Sequence, residues 1–198
     1  MSLYVGPGSG MELLGRQALI ALTASLNTEI ANVSSHWVAL DQELATLRSR
    51  TYASIPLQTF ASDHFHLGHR PSLIEAPPGN YPSVSTMAYR GAPGTDQPDQ
   101  FDSFSLSLYV ETFINGTETE GEEIVNSRIQ RTTESIQNVI ARDPNFRNSF
   151  FAIQRPPIVM IGELFVRKEE KGRGARLLWQ GSRVEYVVDA YVNPRGTW

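Results

Sequence analysis

Residues 103–143 read SFSLSLYVETFINGTETEGEEIVNSRIQRTTESIQNVIARD. Apolar side chains at Phe104, Leu106, Leu108, Val110 and Ile114 alternate with Ser105, Ser107 and Glu111, the pattern of a strand buried on one face. Asn115-Gly116 marks a turn. Glu118, Glu120, Glu122 and Glu123 then suit the positive end of a helix, along which Val125, Ile129, Thr132, Ile136 and Val139 share a face. Asp143-Pro144 stops it, because the residue before proline avoids helical dihedrals. The stretch therefore spells out a scaffold, and no catalytic signature interrupts it.

Upstream, Tyr81 to Arg90 alternates in the manner of a strand, with Val84, Thr86 and Ala88 on one side. Leu19, Leu22, Leu26, Ile30, Val33, Trp37, Leu40, Leu44 and Leu47 recur at steps of three and four, which fits one long amphipathic helix or two in succession. Asn27-Thr28 and the polar cluster Asn32 to Ser35 favour two, with Asn27 or Thr28 capping the second. Residues 1–10, rich in glycine with a proline, predict a flexible arm ahead of a single domain over 11–198. Residues 51–82 show no sustained period and predict a long connection across the surface. The segment 91–102 predicts an acidic loop.

Downstream, Ile158 to Val166 and Arg183 to Val192 read as strands, joined through a charged hairpin tip at 167–176. The predicted order is helix or helices, two strands, helix, two strands. That is an α+β fold: a four-stranded, mostly antiparallel sheet with helices packed on one face.

A chain of 198 residues buries roughly 70% of its unfolded surface and needs no staples. It has no cysteine, which removes disulfides and thiolate metal sites and fits assembly in a reducing cytoplasm. A net charge of −4, without a basic block, argues against a surface built to hold nucleic acid through its phosphates. The apolar run Ala18 to Leu26 starts late and is short, so neither a cleaved signal nor a membrane span is expected.

His64, His66 and His69, in HFHLGH, have the density of a metal site and define one alternative, a metal-dependent hydrolase. They lack an HExxH-like pairing, so no metal, cofactor or catalytic residue is assigned. The clustered glutamates at 118–123 read as helix-start acids, and there is no GxSxG elbow and no phosphate-binding glycine loop. Arg128, Arg131 and Arg142 flank the apolar stripe of their helix. They are candidates for salt bridges either to an adjacent subunit or to Glu111, Glu163 or Glu185 within the chain.

The segments HLGHRPSLIEAPPGNYPSVSTMAYR (66–90) and SLSLYVETFINGTETEGEEIVNSRIQRTTESIQNVIARDPNF (105–146), followed by a charged hairpin, resemble tail terminator and tail completion proteins of tailed bacteriophages. The likeness spans roughly residues 60–192. It rests on element order, on Arg128 and Arg131, and on the strand entry at Tyr81-Pro82, while the helical region Thr28 to Arg50 is longer than in compact members. The resemblance implies a structural virion protein, not an enzyme, assembled in the bacterial cytoplasm. It would form a homo-oligomeric, six-membered ring at the head-proximal end of the tail.

Such a ring caps the tail tube protein, meets a neck or connector protein and in some tails a sheath, and lets DNA pass without specific binding. A head-to-tail connector is the neighbouring alternative. Arg128, Arg131 and Arg142 are then expected at the subunit interface. Asp96, Asp99, Asp102, Arg167, Lys168, Lys171 and Arg173 are expected to face a partner or the lumen.

Overall fold

The structure, a computed structural model, describes residues 9–51, 54–55, 57–68, 82–90, 102–117, 121–143, 146, 151–154, 156–162, 165–167 and 177–192. The expected arm (its first eight residues), most of the 91–102 loop and the hairpin tip beyond Arg167 lie outside these residues.

Helix α1 runs unbroken over Ser9–Leu47, about 58 Å at 1.5 Å per residue, so the expected division into two helices does not occur. No glycine or proline follows Gly15 within it, and several of its polar side chains bond without breaking it. Thr23 and Thr46 donate to carbonyls four residues back, and Ser35 to the carbonyl of Asn32. Asn27 caps nothing. Its amide reaches the surface segment, donating to Phe60 O (2.9 Å) and accepting from Phe60 N (2.8 Å). The helix ends where Ser49 turns to positive φ, with Ser49 N bonded to Thr46 O and Arg50 N to Ala45 O, the paired closure of a Schellman motif.

The predicted connection 51–82 holds a 3-10 turn, Ser62–His64, and a short strand β1, Phe65–Leu67. Strand β1 lies parallel to β2, Ser83–Arg90, so the sheet is mixed at this border, while its other pairings are antiparallel as expected. Three residues are too few for periodicity to announce. Strand β2 pairs antiparallel with β3, Asp102–Thr117, which runs past the expected turn: Asn115 and Gly116 stay in the ladder opposite Trp179 and Leu178. Since β2 starts opposite Phe113, the outer side of Asn115 would lack a partner. Gln58 supplies one, donating to Asn115 O (2.7 Å) and Asn115 Oδ1 (2.6 Å).

Helix α2 covers Glu122–Ala141. Three short strands follow, β4 (Phe151–Ile153), β5 (Ile158–Ile161) and β6 (Phe165–Arg167), all antiparallel to β7, Leu177–Val192. They form one broken edge, where a single strand 158–166 was expected. Pro156 and Pro157 separate β4 from β5, because two successive prolines donate nothing to a ladder. The edge is interrupted again at Gly162, which donates its N–H to Gly181 O (2.9 Å) while its carbonyl accepts from Gln180 Nε2 (2.9 Å). Among the described residues the sheet thus has seven strands in place of four, ordered β1-β2-β3-β7-β4 with β5 and β6 also on β7.

Both helices cover one face. Leu106, Leu108 and Val110 of β3 and Val184, Tyr186 and Val188 of β7 pack there with Leu14, Leu22 and Leu26 of α1 and Ile136 of α2. Gly15 lets α1 approach closely: an added Cβ would meet Leu67 Cδ1 at 3.2 Å, and Thr86 Oγ1 donates to Gly15 O. A second cluster, Ile114, Val125, Ile129 and Leu178, lies toward the start of α2. Buried Thr112 of β3, Ser182 of β7 and Thr133 of α2 lie between the two, with Thr133 Oγ1 2.7 Å from Ser182 Oγ.

Candidate assembly surface

Helices α1 and α2 run antiparallel, and the sequence-predicted arginines sit along their seam. Arg131 reaches Asp41 with Nη2 2.7 and 2.6 Å from the two carboxylate oxygens, and its guanidinium stacks over Trp37 at 5.8 Å. Arg142 Nη2 lies 2.6 Å from Oε2 of Glu29, an ion contact without hydrogen-bond alignment, while Asn138 donates to Glu29 Oε1. Arg128 donates to Asn115 O at 3.2 Å. The within-chain partners are therefore α1 carboxylates and a β3 carbonyl. Glu111, which the sequence offered to these arginines, is held by Arg183 of β7.

Asp102 opens β3 opposite Val192, and Arg167 closes β6 opposite Leu177. Asp96, Asp99, Lys168, Lys171, Arg173 and His69 lie outside the described residues. His64 Nδ1 accepts the amide of Ala61, and His66 sits in β1 beside Ser85. No group of three or more metal-ligating side chains forms among the described residues.

The face of the sheet turned away from the helices is polar. Arg183 donates to Glu111 and lies 5.4 Å from the Tyr109 ring, which meets Tyr89 edge-on. Ser107 donates to Glu185, and Gln154 to Asp189. On β2, β3 and β7 this face carries Glu111, Glu185 and Asp189 against Arg183 among the described residues, an acidic balance.

The feature that sequence reading missed is the edge. Ile158, Val159, Met160 and Ile161 are 44, 39, 47 and 43% exposed, an entire apolar strand with one side paired to β7. Proteins ordinarily blunt such edges with lysine or proline inside the strand, because open backbone groups recruit further strands. The near-continuous apolar run at 158–166 was visible in the sequence and read as a strand, but not as one lying at an edge. The opposite border is open too: β1 ends at Leu67, so Met87 to Arg90 of β2 have no outer strand among the described residues.

No protein-family model and no curated protein matches this chain. No helix among the described residues is long and apolar enough to cross a membrane.

Proposed function

We propose that this protein is a structural ring subunit of a bacteriophage tail. The ring sits at the head-proximal end, ends growth of the tail tube and joins the tail to the neck around a channel for DNA. The observation that carries the reading is the apolar edge strand β5 together with a second open border at β2. One sheet with two unlike borders left open among the described residues is a unit that identical copies can complete head to tail, and such contacts close into a ring when the rotation between copies closes.

The acidic balance of the open face supports it, because a wall without a basic track lets DNA slide without counterion release. The resemblance of 66–90 and 105–146 to tail terminators supplies the place in the particle. Arg131 is committed to Asp41, whereas the Arg142 side chain is 63% exposed and has surface left for a neighbouring subunit. Asp96, Asp99 and Asp102 belong, in this reading, to the lumen or to a basic neck partner.

Native mass spectrometry of the purified chain tests the proposal. A sixfold mass is the expected result. A twelvefold mass replaces the terminator with a connector, and a monomer with stoichiometric metal lost on replacing His64, His66 and His69 by alanine replaces it with the hydrolase.

A further inference from the structure

We propose that neighbouring copies join by pairing β5 of one protomer antiparallel against Met87 to Arg90 of the next, so that one sheet runs continuously from subunit to subunit. The inference deepens the ring reading and takes from it only that the partner is a second copy. Four observations select these two segments for each other.

The first is strand sense. Because β2 is antiparallel to β3, β3 to β7 and β7 to β5, strands β2 and β5 point in opposite directions. Rotation about an axis along the strands therefore brings them together antiparallel, the more favourable pairing. The second is length: the three residues Ile158 to Met160 of β5 can meet Met87 to Tyr89, which lie beyond the end of β1 at Leu67.

The third is shape on the helix side. An apolar groove of about 250 Å³ lies beside the free part of β2, lined by Met11, Gly15, Leu67, Thr86 and Ala88 among others. Val159 is paired with Val184 and thus projects on that same side, where it fills the groove. The fourth is chemistry on the other side. Ile158 and Met160, opposite Glu185 and Arg183, share the face of Met87 and Tyr89, and none of these four is charged. Keeping the helices of both copies on one side allows only registers two residues apart, and the one that seats Val159 in the groove sets Met160 opposite Met87, Val159 opposite Ala88 and Ile158 opposite Tyr89.

The chain has no cysteine, so the register can be tested by introducing them. Within one protomer, β2 and β5 are separated by three strand spacings, about 14 Å, too far for an internal disulfide. The variant carrying both Met87→Cys and Met160→Cys should, on mild oxidation, give a covalent ladder ending at the size of the ring, while each single variant stays uncrosslinked. Wild-type oligomers of unchanged size with no ladder in the double variant would overturn the edge pairing and leave the ring reading standing. Covalent dimers from Met160→Cys alone would overturn it in favour of a two-fold β5–β5 contact. A monomeric wild type with no crosslinking would remove both. Circular dichroism of each variant separates loss of pairing from loss of fold, and both methionines are partly exposed, so the substitutions cost little in the core.

Discussion

Arg131 and Asp41 show why a rim arginine cannot be assigned from sequence. Their side chains are 6 and 17% exposed, and removing one partner leaves a buried charge alone. Arg131→Ala should therefore cost about 3 kcal/mol in urea unfolding of the protomer, whereas the combined Arg131→Met and Asp41→Leu variant should recover most of that loss. Equal losses in both variants would mean that packing against Trp37, not charge, governs the site.

Tyr186 is a second residue whose environment decides its role. It is buried under the helices, its hydroxyl has no partner among the described residues, and burial lifts that hydroxyl well above the ordinary phenol range. The unfolded phenol ionises near pH 10 while the folded one stays neutral. Its contribution to stability is therefore complete below that pH and declines as pH rises beyond it. Tyr186→Phe should leave stability at pH 7 unchanged or about 1 kcal/mol higher, and should flatten the alkaline limb of a stability profile measured from pH 8 to 11. A marked loss at neutral pH would show that the hydroxyl has a partner.

At the scale of elements, α1 and the outer edge carry the instructive differences. Asn27 reads as a cap because asparagine competes with helical hydrogen bonding. Here the helix continues, since ladder bonds on both sides outweigh that local preference, and the amide clamps both backbone groups of buried Phe60. Asn27→Ala should leave the helical circular dichroism signal intact and cost about 1–2 kcal/mol, with faster hydrogen exchange at the Phe60 amide. A drop in helicity would restore the cap. The fragmentation of β4, β5 and β6 was partly legible in Pro156, Pro157 and Gly162. Their pairing to a single strand was not, because register is a relation between distant segments.

At the scale of the molecule, the two borders left open among the described residues would, in the proposed ring, give the chain a reason to associate. A ring closed through them couples folding to assembly, so the melting temperature should rise with protein concentration across a hundredfold range. A midpoint independent of concentration would count against closure under those conditions. In the proposed ring, the apolar strand Ile158 to Ile161, exposed in one copy, would be covered by a neighbour.

The sequence by itself determined the α+β class, the strand at 104–114, the helix at 125–139 and the side of each that meets the core. Local period and apolar spacing carry that information residue by residue. Only the tertiary structure decided that α1 is continuous, that β1 makes the sheet mixed, that Arg131 belongs to Asp41, and that β5 lies at a border. The reason is that burial, pairing and partner choice depend on which distant segments arrive beside a residue. The apolar run at 158–161 is written identically whether a neighbouring strand covers it or leaves it bare.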